Sequence, residues 1–286
     1  MFKKEEKHIS DSQAIEALPH NRKEVFFDLL KHRKMYMFSL SCFTFMFFIP
    51  LATDLFVFNY FESMALYADK PASYLFSLIF YSMLIMLPCM MIGFLGLAGA
   101  FYTAKKIVWQ EGTMISVDFF KGIKENWKQA LLNGFIFGLF LFGLVVGSCY
   151  FVMFLKSQPI LLGVGIGALA LLFLTFGMVI AINFTQMVYY ENGFFVTTKN
   201  SFCLLGLLNW RIFLLFIFTT CSVIALCCIN MITLAIGLLL FAFLNSVVVI
   251  LYTLISHSGF DKYINKENYP DMVGKGLYKK VEDKEA

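Results

Sequence analysis

Residues 71–104, 130–155, 157–190 and 212–255 contain no Asp, Glu, Lys or Arg. Charge-free runs of that length rule out most soluble folds, because a globular domain must present charge to water along nearly all of its chain. A helix needs about 20 apolar residues to cross a bilayer core. The first three runs each hold one such helix, and the fourth is long enough for two. Residues 35–53, closed by Asp54, add another, so the sequence predicts six spans. The runs are apolar all round rather than alternating, which excludes a barrel of short amphipathic strands. A helix also satisfies its own backbone hydrogen bonds in lipid. The expected fold is an all-α polytopic membrane bundle: a cytoplasmic segment at 1–34, a six-span domain at 35–257 and a cytoplasmic tail at 258–286.

Orientation follows from the basic residues. Residues 1–35 carry eight Lys or Arg, 105–129 carry five, 188–211 carry two, and the tail after Ile255 carries six. The opposite side has only Lys70 and Lys156. The positive-inside rule places the basic side, with both termini, in the cytoplasm. No apolar run follows a short basic start in the first 34 residues, so no cleavable signal is expected.

Three segments on that side share a pattern: Phe26-Phe27 with Lys31, Phe119-Phe120 with Lys124, and Phe194-Phe195 with Lys199. Each leads into an apolar run, which suggests a threefold repeat of interfacial helix, span, short turn and span. In the middle copy, Phe119, Ile123, Trp127 and Ala130 fall on one helical face, with Lys121, Lys124 and Lys128 largely off it. That is the pattern of an amphipathic helix at the inner leaflet. Together with Phe120, these residues form a candidate surface for anionic lipid or for partner docking. Small residues recur at spacings that let helices approach closely: Gly93, Gly96 and Gly99 in the second span, Gly134/Gly138 and Gly143/Gly147 in the third, Gly163/Gly167 in the fourth.

Candidate chemistry is sparse. Ionisable groups inside spans mark ion or substrate pathways, and Asp54 alone has apolar sequence on both sides. Asn183 and Gln186 share a helical face near the inner end of the fourth span. With Asp54 they are the candidates for a polar cavity, although hydrogen bonding between helices is the commoner use of such amides. The histidines (His8, His20, His32, His257) have no second histidine at i+4, and the seven cysteines lie almost entirely in apolar runs. No phosphate-binding loop or hydrolase signature is present. The sequence therefore points to no enzyme activity, no cofactor, no metal and no nucleic acid.

Residues 96–106 (Gly-Leu-Ala-Gly-Ala-Phe-Tyr-Thr-Ala-Lys-Lys) and 118–129 (Asp-Phe-Phe-Lys-Gly-Ile-Lys-Glu-Asn-Trp-Lys-Gln) resemble the YesL-like bacterial membrane proteins. The shared features are a small-residue span end, a basic patch, an aromatic pair and a Lys/Asn-rich helix running into the next span. The resemblance implies a multi-pass protein of the bacterial cytoplasmic membrane, encoded near carbohydrate uptake systems. It supplies no catalytic residues. The expected function is an accessory or regulatory component beside a transporter, with transporter subunits as partners. The alternative is a self-contained permease for a small neutral solute.

Overall fold

The computed structural model describes residues 18–207, 209–227 and 230–278; the remainder of both predicted terminal segments lies outside them. The described residues form helices joined by short connections, without strands. The helices are α1 (Arg22–His32), α2 (Lys34–Tyr67), α3 (Ala72–Val108), α4 (Ile115–Leu155), α5 (Pro159–Tyr189), α6 (Phe194–Leu207), α7 (Asn209–Cys227) and α8 (Met231–Phe260). After α8 the chain continues through a π-helical turn, Asp261–Asn265, and a 3-10 turn, Pro270–Met272.

Five helices, α2 to α5 and α8, are each long and apolar enough to cross a membrane. A sixth crossing exists if α6 and α7 count as one span, bent by 105° between Phe194–Leu207 and Trp210–Ser222. The chain ends decide the parity. The backbone N–H of Tyr278 donates to the Pro19 carbonyl at 3.1 Å, so both described ends meet at the same end of the bundle. An even number of crossings fits this arrangement, with the bent pair as the sixth. Topology reporters inserted after Gly112 and Asn192 are expected on one side of the membrane, and those after Asp69, Ser157 and Asn230 on the other. A reporter after Asn230 on the same side as Asn192 would show that α6–α7 re-enters rather than crosses.

The first span is longer than its apolar run. α2 passes Asp54 without a break and ends at Tyr67. The Asp54 side chain is buried against α3, where the Ser82 hydroxyl donates to it at 3.3 Å. A carboxylate with a partner inside the protein does not need to stop the helix at an aqueous interface.

α3 lies at the centre, packed against α2, α4, α5 and α8. Glycine sets these approaches. A Cβ at Gly93 would meet Phe48, and one at Gly96 would meet Phe47 and the Thr44 carbonyl, which joins α3 to α2. Gly134 faces Met91 and Gly138 faces Leu87 across the α3–α4 seam, while Gly147 faces Leu169 of α5. Among the described residues nothing lies within 4 Å of a Cβ built on Gly143, Gly163 or Gly167. Four-residue spacing predicts a shared face but not whether a neighbour occupies it, and Gly163 and Gly167 face outward. Gly99 against Phe119, Gly122 against Tyr102 and Gly177 against Phe216 are further close approaches.

The middle Phe-pair segment is not a separate interfacial helix. Residues 115–129 are the first turns of the 41-residue α4. Asp118, Phe119, Gly122, Asn126 and Ala130 turn inward. Phe119 is fully buried, its ring 5.6 Å from that of Phe43 and 5.7 Å from that of Phe47. Phe120, Lys121, Lys124, Trp127 and Lys128 face outward. Trp127 thus lies at the exposed edge of the face shared by Phe119 and Ala130, because the inward side of the helix is centred nearer Gly122 and Asn126, where Tyr102 packs against Gly122. All three Phe pairs are edge-to-face, with the second ring exposed. Their connections differ: α1 is set off from α2 at Arg33, α4 is continuous, and α6 is followed by the bend.

Candidate functional site

The end of the bundle where the chain ends meet carries the densest polar chemistry of the described residues. α1 begins there because Asn21 caps it, accepting from the backbone of Lys23 and Glu24. The His20 backbone N–H donates to Glu24 at 2.7 Å and holds that carboxyl below the usual carboxylate range. One turn of cap thereby aims Arg22 across the bundle end. Arg22 pairs with Asp261 at 3.0 Å and donates to the Lys275 carbonyl at 2.8 Å.

Asp261 organises the tail around that pair. Its carboxylate also accepts from Asn265 Nδ2 at 2.8 Å and from the Gly274 backbone at 3.3 Å. Asn265 accepts the Tyr190 hydroxyl at 2.6 Å. Burial, and then the nearby Asp261 charge, push the Tyr190 pKa upward, so the phenol acts as a fixed donor.

His257 lies one helical turn before Asp261 and is fully buried. Its Nε2 accepts the Trp109 indole N–H at 3.2 Å, which leaves the proton of the neutral ring on Nδ1. Nδ1 lies 3.7 Å from Asp261. Trp109 in turn receives two ammonium groups: Lys275 at 3.7 Å from the ring centre and Lys105 at 4.6 Å. Lys275 is balanced by Glu111 at 2.8 Å, and Lys105 donates to the Val188 carbonyl at 2.6 Å. Lys106 pairs with Asp118 at 2.6 Å, and that carboxylate also caps α4 by accepting from the Met114 backbone. Gly276, with φ +83°, lies against the Val108 carbonyl and Trp109, an approach that excludes any side chain. An open cleft of about 510 Å³, lined by His20, Arg22, Lys23, Ser258 and Asp261 among others, adjoins this head.

The head joins α1, the ends of α3, α5 and α8, the start of α4 and the tail. Sequence reasoning did not assemble it, because its members are up to 258 residues apart. One signal was present: His257 and Asp261 are an i,i+4 pair at the end of an apolar run.

The predicted polar cavity divides. Asp54 is engaged with Ser82 on the α2–α3 interface. Asn183 and Gln186 instead belong to a seam between α4, α5 and α6. Asn183 Nδ2 donates to Asn133 Oδ1 at 3.1 Å and to Thr198 Oγ1 at 3.2 Å, and Gln186 Nε2 donates to Ser201 Oγ at 2.7 Å. Gln129 donates to the Asn192 carbonyl at 2.7 Å. Asn133, Asn183 and Gln186 are each 1% exposed, yet Asn133 Nδ2, Asn183 Oδ1, Gln186 Oε1 and Gln129 Oε1 have no partner among the described residues. Turning the Gln186 amide over would only exchange which of its atoms is left, since Ser201 can donate or accept. Each such buried group costs about 1–3 kcal/mol. A second set of contacts, around Ser41, Asn245 and Ser246, ties α2 to α8.

No family model, no curated protein and no solved structure matches the chain.

Proposed function

We propose that this multi-pass membrane protein is an accessory or regulatory component that docks a transport system through its basic end. The observation that carries this reading is the head together with the adjoining flank of α4. Charges inside the head are spent on one another, which makes a rigid platform. Beside it Phe120, Lys121, Lys124, Trp127 and Lys128 stand outward and unburied. Aromatic and basic side chains on a fixed helix suit both an anionic leaflet and an acidic partner surface. The positive-inside rule makes this end cytoplasmic, and the resemblance to YesL-like proteins adds a bacterial cytoplasmic membrane and carbohydrate uptake as the setting.

The test is the triple reversal K121E/K124E/K128E, followed by affinity purification in mild detergent. Insertion is expected to persist, because the remaining basic residues still set topology. Co-purification of the wild-type protein's partner is expected to be lost. A partner retained at wild-type level would leave this flank as a lipid contact only. The permease reading for a neutral solute is favoured by one observation, the unpaired amide atoms of the α4–α5–α6 seam.

A further inference from the structure

We infer that the α4–α5–α6 seam is a gated binding site for a small uncharged, hydroxyl-bearing solute, with α6 as the gate. This goes beyond the docking reading and does not depend on it. The seam presents one amide NH2, from Asn133, and amide oxygens of Asn183, Gln186 and Gln129, all buried or half-buried and without partners among the described residues. A ligand that completes them must both donate and accept, and hydroxyl groups do both. No Asp, Glu, Lys or Arg belongs to the set, so a charged ligand would enter without a counter-ion, at high cost in a low-dielectric site.

The gate follows from how α6 is held. It packs chiefly against α5, and a 105° bend separates it from α7. Its buried side is Thr197, Ser201 and Leu204, with Thr198 half-buried. Its polar ties to α5 run through the Thr198 and Ser201 hydroxyls, which accept from Asn183 and Gln186, and these hydrogen bonds can be exchanged for those of a solute. Asn183 lies six residues before the end of α5, about 9 Å of helix, so a small displacement of α6 opens the seam to the head side.

Cysteine accessibility tests both halves. Ser201→Cys is placed in a background whose native cysteines are replaced, shown to be monodisperse, and reconstituted in lipid nanodiscs. Labelling by a water-soluble maleimide is then followed in sorbitol and in osmotically matched sodium gluconate, a hydroxylated anion of similar size. The expected result is slow labelling that sorbitol retards several-fold and gluconate does not. When Gln186→Met is added, which keeps the side-chain length without its amide, labelling should persist and the sorbitol protection should be lost. No labelling of the introduced thiol under any condition overturns the gate. Labelling unaffected by sorbitol, or retarded equally by gluconate, overturns the uncharged-solute site and leaves a water-filled seam.

Discussion

Gly134→Leu is expected to lower the thermal stability of the detergent-solubilised protein sharply, while Gly163→Leu leaves it unchanged. A Cβ at Gly134 would lie 2.9 Å from Met91 Cα, 3.0 Å from Phe94 Cβ and 3.2 Å from the Met90 carbonyl. Two of these are backbone atoms, so no rotamer change clears them and the helices themselves must separate. Overpacking of this kind costs about 1–3 kcal/mol or more. The strain would spread along α3–α4, where Gly99 and Gly122 are also in close approach. At Gly163 a side chain enters open space, which in a membrane is lipid. The check is the fraction remaining monodisperse after stepwise heating. Equal losses at both positions would mean that the α3–α4 approach does not limit stability.

Asp261→Ala is expected to release the head while the spans stay intact. The substitution removes the acceptor for Arg22, Asn265 and Gly274 together. The Arg22 and Asp261 side chains retain 13% and 17% exposure, so the loss falls below that of breaking a fully buried pair. It amounts to roughly 2–3 kcal/mol, the upper range for hydrogen bonds to a charged group. Limited proteolysis in nanodiscs should show faster cutting within residues 18–33 and 262–278, with the spans still protected. Asp261→Asn keeps one acceptor oxygen and should fall between the two. Unchanged proteolysis in Asp261→Ala would mean that the tail is held by Lys275 and Gly276 at Trp109 instead.

The spans were legible in the sequence because lipid imposes a long, simple requirement, and the charge-free runs answer it directly. The limits of those runs were misleading in one place. Asp54 reads as a boundary only if its partner is water, and Ser82 is invisible until α2 and α3 are side by side. The glycine spacings were half informative for a related reason. Gly134 and Gly163 look alike along the chain, and only the neighbouring helix separates them. The amides Asn183 and Gln186 share a helical face in the sequence, but Thr198 and Ser201, the hydroxyls they meet, lie in a segment read as leading from an interfacial helix. Apart from the spacing of His257 and Asp261, the head was beyond reach, since Arg22, Trp109 and Tyr190 each look unremarkable in their own surroundings. What unites them is chain crossing, which hydropathy does not encode.

The backbone contact between Tyr278 and Pro19 also bears on how the molecule is made. During synthesis the residues around Arg22 emerge before the long apolar helices, and their partners at 261–278 emerge after them. Closure of so long a loop contributes nothing to early folding. It can only happen if the tail emerges on the side where the first residues waited. A chain that skipped one crossing, for instance by failing to pass α6–α7 through the membrane, would deliver Asp261 to the wrong compartment. Arg22 would then stay unpaired and the tail open to proteases. Closure of the head thus requires that Arg22 and Asp261 arrive on the same side of the membrane.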